Sequence, residues 1–102
     1  MVYNKLVRDK IPAIINAQGK TVKTRVLDDE EYLTALEAKL DEEVGEYHRD
    51  KNLEELADIL EVVYALSEHS GHSKEDLLEV YEKKNRERGG FRDRVFLISN
   101  EG

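Results

Sequence analysis

The stretch from Glu42 to Asp58, EEVGEYHRDKNLEELAD, decides how this chain folds. It carries seven carboxylates in seventeen residues and has a polar break, DKN, at positions 50–52. Before the break, residues 29–49 keep a helical pattern with no proline. After it, a second helix is expected from residue 53 to about residue 68, with Asn52 as its cap. So short a link makes the two helices antiparallel neighbours. What the stretch can do then depends on which way each carboxylate faces.

An α-helix turns about 100° per residue, which places each side chain on a wheel. In the first helix Leu33, Leu36, Leu40, Val44 and Tyr47 mark one apolar arc. Glu43 falls inside that arc, between the directions of Leu36 and Tyr32, and Glu46 lies about 60° away at its edge. Glu42 and Asp41 point well outside it. The second helix is apolar almost all round, as helices buried on several sides are. Glu54, Asp58 and Glu61 share its polar stripe, whereas Glu55 points between Val62 and Leu66. Asp58, three residues on, is a surface neighbour of Glu55.

Two i,i+3 acidic pairs result, Glu43/Glu46 and Glu55/Asp58, each with one member set into an apolar face and both close to the turn. An isolated buried carboxylate costs several kcal/mol or takes up a proton instead. Four of them meeting need a cation, and hard oxygen ligands without cysteine suit magnesium or manganese. The competing reading is an ordinary acidic surface, with Lys39 bridging to Glu43 at i+4.

Outward from the hairpin, Asp28 or Asp29 caps the first helix, and acidic residues suit its first turn. HSGHS at 69–73 breaks the chain. Ser73 then caps a third helix to about residue 88, with Asp76 in capping-box position, and RGG ends it. The single proline, Pro12, comes early, and NAQGK at 16–20 reads as a turn. TVKTRVL at 21–27 alternates as a short strand would, and RVFLIS at 94–99 is a second candidate that would pair with it. Gly45 within a helix costs about 1 kcal/mol relative to alanine, which close approach of a helix or a phosphate would explain.

The length, 102 residues, predicts one domain over 1–102. Hydrophobic residues make up 39% and charged residues 38%. A net charge of −7 argues against a protein that coats a nucleic-acid polymer, but metal ions can offset the charge of a nucleotide. With no cysteine, disulfides, thiolate nucleophiles and zinc–thiolate sites are excluded. MVYNKLVRDK is too charged for a signal peptide and no apolar run is of membrane-spanning length, so a cytoplasmic protein with no membrane partner is expected. In the second helix Leu53, Leu56, Ile59, Leu60, Val63 and Leu66 cover too wide an arc for one chain to bury, which predicts a homodimer or homotetramer.

Glu43-Val44-Gly45-Glu46 followed by Glu55-Leu56-Ala57-Asp58 resembles the E-x-x-E and E-x-x-D signature of the all-α nucleotide pyrophosphohydrolases, the MazG-like superfamily. YNKLVRDKIP at the start, EELADILEVVYAL in the second helix and RGGF after the third strengthen the likeness to the small phosphoribosyl-ATP pyrophosphohydrolase-like members over nearly the whole chain. The resemblance implies an all-α helical bundle completed by oligomerisation, with at most a small two-stranded sheet. It also implies a magnesium-dependent hydrolase that splits a nucleoside triphosphate between the α- and β-phosphates, with non-standard or deoxy nucleotides as candidate substrates. Glu43, Glu46, Glu55 and Asp58 would hold the metal, and Glu46 is the choice for the base that takes the proton of the attacking water. One departure is the short spacing: eight residues, Tyr47 to Glu54, separate the acidic pairs, so no substrate is carried over from longer relatives.

EKKNRERGGFRDR at 82–94 holds six basic and three acidic residues. Lys84, Arg88 and Asn85 are candidates to grip phosphates; the plainer reading is a basic helix end complementing the macrodipole. Arg8 and Lys10 are candidate phosphate or subunit contacts by resemblance; the plainer reading is a salt-bridged arm packing Leu6, Val7 and Ile11. His69 and His72 read as a surface loop. The alternative function is a non-catalytic helical oligomer that retains the fold. A di-iron carboxylate bundle is disfavoured, because neither His48 nor His69 follows a glutamate at the required spacing.

Overall fold

In the computed structural model, which describes residues 3–102, α1 (Ile11–Ala17), α2 (Asp29–Asp50), α3 (Leu53–His69) and α4 (Lys74–Arg88) follow one another in the chain. The described residues contain no strand, so the architecture is all-α.

Local chemistry accounts for the helix ends. The Asp28 side chain accepts from the Glu31 N–H, and the Glu31 carboxylate accepts from the Asp28 N–H, closing a capping box on α2. Arg25 adds two bonds to the same carboxylate, at 3.2 and 2.6 Å. Together they lower the Glu31 pKa to about 2, with the Arg25 bond the largest cause and the Asp28 backbone next. Asn52 caps α3 through the Glu55 N–H at 3.0 Å. Ser73 and Asp76 form the expected box on α4, and Gly89 at φ 78° ends it.

Between α2 and α3 stand Lys51 and Asn52 alone. Lys51 takes the left-handed conformation, φ 51°, and its N–H bonds the Tyr47 carbonyl at 2.8 Å. The chain therefore reverses within two residues and lays α3 antiparallel along α2, the main helix contact of the molecule. α4 leans on α3 alone among the helices, and α1 packs against none of them. The molecule extends over 62 × 32 × 22 Å, with a radius of gyration of 18.1 Å. A compact domain of this length would have about 13 Å.

Two expectations need correction. Residues 21–27 and 94–99 form no strand and no backbone hydrogen bond joins them, and Arg94 takes the left-handed conformation, φ 60°. A strand exists only when a neighbour takes its backbone groups, and these two segments do not meet. In the other direction, the turn expected at 16–20 begins later, at Gln18, because α1 runs through Ala17. Its signal was Pro12 in the first turn, where a missing N–H costs a helix nothing.

Among the described residues only Leu36, Val62 and Glu43 are buried. Two apolar side chains and a carboxylate thus share the seam between α2 and α3.

Candidate metal centre

Glu43 is 5% exposed, as its place inside the apolar arc requires. One of its oxygens, Oε1, lies 3.3 Å from the Lys39 ammonium; the other, Oε2, is buried without a partner. Glu55, half-buried at the start of α3, also has a buried and unpartnered Oε2. Carboxylate oxygens of Glu43, Glu55 and Asp58 lie within 4.8 Å of one another, and so do those of Glu42, Glu43 and Glu46. Glu43 belongs to both groups, so the two helices present one continuous acidic site beside their turn.

The electrostatics match the geometry. Burial raises the Glu43 pKa, and repulsion from Glu46 and Asp58 adds to it, against the lowering effect of Lys39. Burial likewise raises that of Glu55, helped by Glu46, Asp50 and Asp58. The Lys39 ammonium is pulled down by burial, but Glu42 and Glu43 outweigh this and its pKa rises. Lys39, with Lys5 on Glu42 and Arg8 on Asp58, leaves one oxygen of Glu43 and one of Glu55 without a partner. Two orphaned, buried carboxylate oxygens facing one cluster of hard donors fit a divalent cation such as Mg²⁺ or Mn²⁺.

Asp58 and Glu46 are both half-buried at the rim. Glu42 is more involved than its wheel direction implies: half-buried, it sits between Lys5 at 3.5 Å and Lys39 at 3.3 Å. Both of its oxygens are therefore partnered, unlike those of Glu43 and Glu55. Lys39 does bridge to Glu43 at i,i+4, but as a largely buried pair and not as surface decoration.

Arg8 is brought to the cluster, where its Nη2 donates to Asp58 Oδ1 at 2.8 Å. Arg8 and Lys5 thus make the salt-bridged arm that the N-terminal sequence suggested, with Leu6 half-buried between them. Lys10 is exposed and no ion pair of the described residues joins it to the acids. Lys84, Asn85 and Arg88 are exposed on α4, again with no ion pair to the cluster. His69 departs from the expected surface loop: it ends α3, lies edge-on to Tyr32 at 5.7 Å, and lines an open groove with Asp29 and Glu68. A Cβ built on Gly45 would meet nothing within 4 Å, so no helix of the same chain explains that glycine.

Over 42 residues the chain is 60% identical to an uncharacterized protein of Mycolicibacterium smegmatis (strain ATCC 700084 / mc(2)155). The match covers 41% of this chain and 43% of that protein, so less than half of the relative's length is spanned. No family model and no solved structure matches the chain. No helix of the described residues is long and apolar enough to cross a membrane.

Proposed function

We propose that the chain is a MazG-like, metal-dependent nucleotide pyrophosphohydrolase that converts a nucleoside triphosphate and water to the monophosphate and pyrophosphate. The observation that carries the metal half of this reading is the pair of buried, unpartnered oxygens on Glu43 and Glu55 within one acid cluster. The reaction itself rests on the resemblance of the two acidic motifs and their flanking stretches to that superfamily. Glu43, Glu46, Glu55 and Asp58 would hold the ion, and Mg²⁺ or Mn²⁺ suits an all-oxygen set. When bound, such an ion neutralises phosphate oxygens and lowers the pKa of a coordinated water.

The chain's own groups have separable parts. Glu43, buried in the seam, and Glu55, with one buried oxygen, would supply the charge. Glu46, half-buried at the rim, would accept the proton as water adds to phosphorus and the bridging P–O bond breaks. Arg8 is near enough to the cluster to meet an anionic ligand. Lys10, Lys84, Asn85 and Arg88 reach it only if another chain or a rearrangement brings them there.

A homo-oligomer belongs to the same reading. Leu53 is 81% exposed, and Val44, Leu56 and Leu60 also face solvent along the acid-bearing hairpin. An exposed apolar face of this kind marks an interface. A panel of nucleoside triphosphates assayed with magnesium, with both products identified, tests the function. Release of monophosphate and pyrophosphate from at least one nucleotide, abolished by chelation, is expected. Metal binding with no turnover on any nucleotide would favour the non-catalytic oligomer.

A further inference from the structure

Two of the three cations at the acid cluster stand on a segment separate from the hairpin. Lys39 belongs to α2 and stays with the cluster. Lys5 and Arg8 lie on the segment that precedes α1, and they reach Glu42 and Asp58, on α2 and α3 respectively. Residues 3–10 therefore form a strap across the mouth of the site. Its hold is light. Of its described side chains only Leu6 is half-buried, and a cavity of about 120 Å³ lies between Asn4–Leu6 and the α2 residues Ala35, Ala38 and Lys39. The strongest bond of the strap to the hairpin is the Arg8–Asp58 pair, and it occupies a carboxylate that a bound cation would need.

We propose that Arg8 is an exchangeable counter-cation of the site, bound to Asp58 in the metal-free protein and displaced, with its strap, when a divalent ion takes that carboxylate. The inference rests on the metal-site reading above. Two effects give its sign. A guanidinium on Asp58 Oδ1 competes with the ion for that oxygen, and its positive charge repels the ion whether or not it competes. Removing Arg8 therefore tightens metal binding, whereas removing a residue that merely supports the site loosens it. The size is modest, because both partners are partly solvated and such pairs are worth little.

The test is Mn²⁺ binding to the full chain, measured by the electron paramagnetic resonance signal of free Mn²⁺, for wild type, Arg8→Gln and Arg8→Lys. Tryptic cleavage after Lys5 and Arg8, whose side chains are held in the ion pairs, is followed with and without the ion, and circular dichroism checks that each variant is folded. Arg8→Gln is expected to bind Mn²⁺ about two- to fivefold more tightly than wild type, a gap that closes as salt is raised. Arg8→Lys should fall between the two. In wild type, Mn²⁺ should speed cleavage of the strap. Equal or weaker binding by folded Arg8→Gln, or an unchanged strap, overturns the latch and leaves the metal site standing. Absence of Mn²⁺ binding in all three proteins removes the metal site and the latch together.

Discussion

The hairpin end of the molecule and its C-terminal third are built from similar residues and end in opposite states. In the seam between α2 and α3, Leu36 and Val62 are buried and Glu43 is buried with them, although Leu53, Leu56 and Leu60 on the outside of the hairpin stay exposed. In α4 and the segment after it, Leu78, Val80 and Tyr81 and then Val95, Phe96, Leu97 and Ile98 all stand exposed. Burying carboxylates while leaving aromatic and aliphatic side chains in water reverses the usual order of transfer free energies. Within one chain, only a short link forced on two amphipathic helices makes such burial unavoidable. α4 has a longer break before it and a polar average composition, so it only leans on α3.

The sharpest way to break this contrast is to remove the orphaned charge. Glu55→Gln should abolish metal-dependent activity, by at least about 100-fold since groups that only support metal ligands are worth 10–100-fold, with the fold retained. Glu42→Gln should do far less, because Lys5 and Lys39 already satisfy that carboxylate. Equal losses in a kinetic assay would mean that facing does not distinguish the acids.

Packing comes next. Leu36→Ala removes a side chain that is 2% exposed and should cost about 2–5 kcal/mol in chemical denaturation. Leu78→Ala, on the exposed α4, should cost less than about 1 kcal/mol in an isolated chain. If Leu78→Ala costs as much as Leu36→Ala, α4 is covered by another copy. Sedimentation should then show a species heavier than 11.8 kDa.

A smaller effect concerns pH. Glu43 and Glu55 have raised pKa values in the folded chain, so between the ordinary carboxylate value and those raised values the folded state holds more protons than the unfolded one. Their contribution is full below the ordinary value and is lost as pH rises through the folded ones. Glu31 acts in the opposite sense: its contribution is present above the ordinary value and is lost as pH falls towards about 2. Melting of the metal-free protein should therefore peak near the ordinary carboxylate value, about pH 4, and decline above it. Mg²⁺ should flatten that decline, and a stability that rises steadily to neutral pH without metal would contradict the crowding of these acids.

Gly45→Ala is the smallest change. The position is helical and opens on empty space, so alanine should stabilise α2 by about 0.5–1 kcal/mol in thermal melts. Stabilisation accompanied by loss of assembly or activity would show that a second chain or a ligand approaches that backbone.

Helix positions were legible because they depend on neighbours in sequence. Asn52 and Ser73 cap what they were expected to cap, Asp28 is the one of the two candidate aspartates that caps α2, and the 100° wheel put Glu43 in the seam. Residues 21–27 and 94–99 have the composition of strands, but pairing is a property of two distant segments, and the alternation of either one carries no information about whether they meet. The same holds for charge. The i,i+4 spacing announced Lys39 and Glu43, whereas Arg8 and Asp58, 50 positions apart, became partners only when the N-terminal strap was laid across the hairpin. Periodicity along the sequence thus determined which carboxylates entered the apolar seam. Which cations answer them was decided by the tertiary structure, because Coulomb attraction acts through distance in space and not through separation along the chain.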